Sequence, residues 1–191
     1  MSANPPASFE GDERVRLFCA LQLPEQTLDG LLAWQREAFS AVPRVRPVPR
    51  ENLHVTLAFL GHRPAAELEA IVGALRAASA RAERPRLSVR GYRETRSVGM
   101  LTFDDDDDRA AALAEDLHER LEALGVYRRE DRPWLAHLTV LRFRDRPRLR
   151  PPLPELGEVV PSDAAVYLSE LGPKGAQYFA VESFVLGERV R

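Results

Sequence analysis

Apolar residues along this chain alternate between short continuous runs and helical stripes. Val15 to Leu23 (VRLFCALQL) is a nearly unbroken apolar run of strand length, stopped by Pro24. From Glu25 to Phe39 the spacing changes. Leu28, Leu31, Leu32 and Phe39 fall on one stripe, which predicts an amphipathic helix. Pro43, Pro47 and Pro49 leave room only for a short extended piece. Leu53 to Leu60 (LHVTLAFL) reads as a second strand, closed by Gly61. Pro64 then opens a helix with Leu68, Ile71, Val72 and Leu75 at i, i+3, i+4 and i+7.

The pattern then recurs. Leu87 to Val89 and Met100 to Phe103 read as short strands, and five aspartates, Asp104 to Asp108, lead into a helix carrying Leu113, Leu117, Leu121 and Leu124. Gly125 suits its C-cap. Ala136 to Phe143 (AHLTVLRF) is a strand resembling LHVTLAFL, and a proline-rich linker follows through Pro161. Val166 to Leu171 and Tyr178 to Leu186 form two more strands around the turn Gly172-Pro173-Lys174-Gly175. Strand, helix and strand therefore occur twice. The expected fold class is α+β, with two similar helix-backed antiparallel sheets facing one another across a cleft. Residues 1–13 read as a tail, which leaves 14–191 as a single bilobed domain.

Composition narrows the class. The chain has 191 residues, 45% hydrophobic and 29% charged, enough apolar surface to offset chain entropy. No apolar run approaches the ~20 residues a bilayer span requires. A single cysteine, Cys19, rules out a disulfide framework, and the N-terminus lacks the pattern of a secretory signal, so a cytoplasmic protein is expected. The net charge of −2 hides a skew, because every basic residue but Lys174 is arginine. Arg128, Arg129, Arg132, Arg142, Arg144, Arg146, Arg148 and Arg150 face only Glu130, Asp131 and Asp145 within one stretch. A local basic stretch on a near-neutral chain fits a short anionic ligand or a solvated loop better than a long duplex.

The chemistry lies in the repeated strand: His54-Val55-Thr56-Leu57 and His137-Leu138-Thr139-Val140. Side chains alternate in a strand, so His54 and Thr56 share one face and Leu53, Val55, Leu57 and Phe59 the other. His137 and Thr139 repeat the arrangement. Two such faces opposed across a cleft would let one imidazole take a proton from a nucleophile while the other protonates a leaving oxygen. The two hydroxyls would meanwhile hold the oxygens of a tetrahedral anion. In-line phosphoryl transfer at a diester fits this device, and it needs no metal or other cofactor.

Other residues lack such company. His62 is expected in a turn after Gly61 and His118 on a helix flank, each a histidine without catalytic partners. No HExxH or CxxC supplies further zinc ligands. Asp104 to Asp108 reads as an acidic turn favouring a helix N-terminus rather than a cation site. Cys19, within an apolar strand, reads as packing.

The paired His-x-Thr-x tetrads resemble the two-histidine (2H) phosphoesterases. They come closest to the RNA 2′,3′-cyclic phosphodiesterases, also called 2′-5′ RNA ligases (ThpR/LigT type). RLFCALQLPEQ at 16–26, VRPVPRENLHVTLAFLG at 45–61, RPWLAHLTVLRF at 132–143 and LSELGPKGAQY at 168–178 carry the likeness. The resemblance implies a bilobed fold with pseudo-twofold symmetry. It also implies metal-free hydrolysis of an RNA terminal 2′,3′-cyclic phosphate to a 2′-phosphate, and reversible 2′-5′ ligation. Carried over by position, His54 matches the proton donor and His137 the acceptor, while Thr56, Thr139 and Arg142 match phosphate-binding groups. Which histidine is the acid does not follow from the strand pattern itself. Strict alternation puts Arg142 on the face opposite His137, so its role requires a bulge or the strand's end. Ala136 stands where the family usually has proline. The expected partner is RNA ending in a cyclic phosphate, met by a monomer. Two other activities share these residues: cleavage of a non-RNA cyclic phosphate such as ADP-ribose 1″,2″-cyclic phosphate, and RNA-end binding without turnover.

Overall fold

The computed structural model describes residues 13–172 and 175–187. In chain order these form β1 (Arg14–Gln22), α1 (Glu25–Phe39), β2 (Val45–Pro47), β3 (Val55–Pro64), α2 (Leu68–Ser79), β4 (Leu87–Glu94), β5 (Val98–Asp105), α3 (Arg109–Ala123), β6 (His137–Phe143), β7 (Asp163–Gly172) and β8 (Gly175–Val185). The tail through residue 12, and Pro173 and Lys174 of the β7–β8 turn, lie outside the described residues. No described helix is long and apolar enough to cross a membrane.

The strands are all antiparallel, in the order β4-β5-β6-β3-β1-β7-β8, with β2 added alongside β6. The expected α+β architecture of two helix-backed sheets is present, and one rung makes the sheets continuous. β4, β5, β6 and β2 form one half and β3, β1, β7 and β8 the other, joined among the described residues by the single pair Val55–Leu138. Helix α1 follows β1 in the chain yet lies against β2 of the opposite half, while α2 and α3 cover β3, β7 and β8. Leu31, Ile71, Leu117, Leu121, Leu138 and Leu141 are fully buried between sheet and helices. Each such side chain contributes roughly 1.5–3 kcal/mol on leaving water.

Periodicity located the helices well. The first spans Glu25 to Phe39 as expected, with Glu25 in its first turn and Arg36 in its last, complementing the dipole. Gly61 does not close β3. It takes φ +67° inside the strand, which runs on to Pro64 and carries His62 within it. That corrects the expected turn, because a glycine in the left-handed region can bulge a strand without ending it. Leu124 falls just beyond α3 and is 45% exposed, and Gly125 follows at φ +70° as a C-terminal cap. β4 and β5 extend well past their apolar centres, because backbone pairing from Leu87–Asp105 to Glu94–Gly99 carries polar residues along.

Candidate active site

Both tetrads straddle a β-bulge, and the bulge falls at the same place in each. In β3, Thr56 pairs with Ala20 and Ala58 with Cys19, leaving Leu57 as the extra residue. In β6, Thr139 pairs with Met100 and Leu141 with Gly99, leaving Val140 extra. An extra residue reverses the alternation beyond it. Leu57 and Ala58 are therefore both buried, as are Val140 and Leu141. Phe59, expected in the core, is instead 51% exposed beneath the Arg16 guanidinium, 4.8 Å from its ring centroid. The same reversal carries Arg142 onto the face of His137 and Thr139, supplying the bulge its role required.

A buried side chain of the covering helix holds each bulge carbonyl. Gln35 of α1 donates through Nε2 to the Val140 carbonyl at 2.7 Å and to the Val48 carbonyl at 3.1 Å. His118 of α3 donates through Nε2 to the Leu57 carbonyl at 2.8 Å. His118 is thus a satisfied core histidine, as expected. Gln35→Leu is expected to cost about 1–3 kcal/mol of stability, measured by urea unfolding, since a polar bond in the interior is lost. It should also lower activity by releasing Arg142. In an Arg142→Ala background the same change should leave activity unaltered, and a further loss there would refute the link.

The two strands meet so that four side chains form a square. Val55 and Leu138 are antiparallel partners and both are buried. Counting one residue either way sets His54 across from Thr139 and Thr56 across from His137, all on the face opposite Val55 and Leu138. Neighbouring strands are about 4.8 Å apart, which brings both imidazoles and both hydroxyls to one small area. Trp134 secures the junction by donating its indole N–H to the Thr56 carbonyl at 3.0 Å.

Each histidine is oriented in the same way. His54 Nδ1 lies 2.9 Å from the Asn52 carbonyl and His137 Nδ1 2.9 Å from the Leu135 carbonyl. A carbonyl only accepts, so Nδ1 carries the proton in both neutral rings and Nε2 is the nitrogen left for chemistry. Phe18, Tyr178 and Tyr167 surround His54 at ring-centroid distances of 4.8, 5.4 and 6.2 Å. These aromatic neighbours come from β1, β8 and β7, and local pattern does not reveal them. Asn52 ties the His54 segment to β8 by donating to the Ala176 carbonyl at 2.8 Å.

Burial, and then the charges of His137 and Arg142, push the His54 pKa down from 6.5 to about 4 against the opposing pull of the Asn52 hydrogen bond. Both electrostatic partners come from β6, so the tetrads and Arg142 act on one another. Stability follows from this with a definite sign. Above pH 6.5 His54 is neutral both folded and unfolded. Between 6.5 and about 4 only the unfolded chain takes up the proton, so the fold loses about 3 kcal/mol over that window. Urea unfolding at pH 7 and pH 4 should show His54→Gln losing less than the parent by about that amount. Equal losses would refute the assignment.

The remaining candidates lie elsewhere. His62 is exposed on β3. The free thiol of Cys19 is fully buried and pushed up to about 12 by burial, which removes it as a nucleophile. In the acidic turn, Asp105 accepts from the backbone N–H groups of Ala110 and Ala111 at 3.2 and 2.8 Å, capping α3.

Comparison with known proteins agrees with this architecture, first at the level of fold. The crystal structure of a Thermus thermophilus protein superimposes with a TM-score of 0.77 at 31% identity, covering 90% of this chain and 97% of its own. LigT of E. coli in apo form superimposes with 0.77 at 25% identity, covering 92% and 99%. In sequence, a family model described as LigT like Phosphoesterase matches residues 21–97. A Thermus thermophilus protein named RNA 2′,3′-cyclic phosphodiesterase is 36% identical over 191 residues, spanning 93% of each chain. A protein of the same name from Methanothermobacter thermautotrophicus is 30% identical over 186 residues, spanning 91% of this chain and all of its own. The chain belongs to the ThpR/LigT family of 2H phosphoesterases.

Proposed function

We propose that this protein hydrolyses the 2′,3′-cyclic phosphate at an RNA end to a 2′-phosphate, with His54 and His137 as its acid–base pair. The observation that carries the reading is the Val55–Leu138 rung, whose register sets His54 across from Thr139 and Thr56 across from His137, with both Nδ1 atoms bound to main-chain carbonyls. The names of the relatives support the substrate.

In this reading His137 Nε2 takes a proton from water, whose oxygen attacks phosphorus. The bond from phosphorus to O3′ breaks, and His54 Nε2–H gives O3′ its proton. Thr56 and Thr139 donate to the non-bridging oxygens, and the Arg142 guanidinium balances their charge. The substrate is an anion, so its arrival offsets the Arg142 charge that helps press the proton from His54 in the free site. Protonation of His54 is thus coupled to binding. With a 5′ hydroxyl in place of water, the same pair in the same roles opens the cyclic phosphate into a 2′-5′ link; run backwards, O3′ attacks phosphorus, the 5′ hydroxyl leaves and the two histidines exchange roles. The host compartment is the reducing cytoplasm, and the protein acts as a monomer.

The test is incubation of an RNA ending in 2′,3′-cyclic phosphate with the protein in excess chelator, followed by location of the new phosphate. A 2′-phosphate, formed with kcat/KM breaking on its acid side near pH 4, is expected. A 3′-phosphate, or activity lost to the chelator, would overturn the mechanism. Tight binding with no product would leave an RNA-end binding module. Preferential cleavage of ADP-ribose 1″,2″-cyclic phosphate would move the substrate away from RNA.

A further inference from the structure

Part of the basic stretch noted in the sequence is neutralised once folded. Arg129 pairs with Glu115 and Glu122, Arg132 with Glu130, and Arg146 with Glu94. By contrast, Arg44, Arg46, Arg142 and Arg144 gather where β2 lies along β6. Among the described residues none of the four forms an ion pair with a carboxylate.

Arg46 and Arg142 are direct cross-strand partners. Their side chains leave the same face with Cβ atoms about 5 Å apart, an arrangement in which like charges destabilise a strand pair. Both are exposed. The rung they form starts at the site, because the bulge at Val140 turns Arg142 to the face of His137 and Thr139. It ends at a groove of about 500 Å³ lined by Arg44, Val45, Arg46, Phe143, Arg144 and Asp145, three guanidiniums against one carboxylate. Uncompensated charge at a sheet edge, continuous with a phosphate-binding face, is what a ligand bearing a second anionic group would neutralise. A single strand suits it better than a duplex, since one rung and one groove carry the charge on a chain of net charge −2.

We infer that Arg46 docks an internucleotide phosphate of single-stranded RNA whose cyclic end lies between His54 and His137, so that the site favours oligonucleotides over mononucleotides. The inference rests on the activity proposed above and adds a substrate-length preference and the residue that reads it.

The experiment compares a nucleoside 2′,3′-cyclic monophosphate with a tetranucleotide ending in 2′,3′-cyclic phosphate, using the parent, Arg46→Gln and Arg46→Lys. Arg46→Gln is expected to lower kcat/KM about tenfold on the tetranucleotide and less than about twofold on the monomer, the scale of one charge-assisted hydrogen bond. Arg46→Lys should restore most of the activity, since holding a phosphate needs charge more than shape. The slope of log kcat/KM against log salt should become shallower by about 0.7, the share of one neutralised phosphate on a single strand. The melting temperature of Arg46→Gln should equal or exceed the parent's, because a like-charge pair has been relieved. An equal loss on both substrates, no loss on either, or a lowered melting temperature would overturn the inference. If the parent cleaves neither substrate, the proposed activity fails. The inference is then decided by titrating the uncleaved tetranucleotide: weaker binding to Arg46→Gln supports it, and unchanged binding overturns it.

Discussion

His54→Ala and His137→Ala are each expected to lower kcat by about 10²–10⁴-fold, the contribution of one positioned general acid or base. The double variant should fall little further, because a transfer device missing one end has already lost most of its advantage. His54 precedes its strand and His137 begins its own, so the variants should remain folded, which urea unfolding at pH 7 would confirm. A substrate with sulfur in place of O3′ separates the two roles. Its leaving thiolate needs no proton, so the variant lacking the donor should recover and the variant lacking the base should not. Recovery of His137→Ala in place of His54→Ala would reverse the assigned roles. Parental rates in both variants would remove the histidines from the mechanism.

Thr56→Val and Thr139→Val are expected to lower kcat by about 10²-fold each, the usual loss when one donor to a developing oxyanion is removed. The substitutions preserve shape at strand positions, so stability should change little. Since the hydroxyls gain most as charge builds on the phosphorane oxygens, kcat should fall by more than KM rises. Variants that retain parental kcat but bind more weakly would show that the hydroxyls hold only the ground state.

Much of this site was legible because a strand's period is two and the tetrads repeat. His54, Thr56, His137 and Thr139 needed nothing beyond alternation to share a face, and the helices followed from their stripes. Alternation misplaced Phe59 and set Arg142 on the wrong side for a common reason. A bulge adds one residue, and Leu57 and Val140, which provide it, are ordinary strand-forming side chains with no local mark. What stabilises the bulges is tertiary: His118 lies 61 residues from Leu57, and Gln35 lies 105 from Val140. A polar Gln35 within the apolar stripe of α1 was the one available hint. The aromatic ring around His54 was equally hidden, since β1, β7 and β8 become neighbours only through pairing.

Among the described residues the paired strands of the two halves share one rung, Val55–Leu138, backed by the Trp134 indole. A lone rung has no ladder neighbours to hold it, so amide protons there should exchange well before those deep in β1 or β7, whose pairing is continuous. Since that rung also sets His54 across from Thr139, activity is expected to fade on heating before the chain melts, making turnover an earlier casualty of temperature than structure.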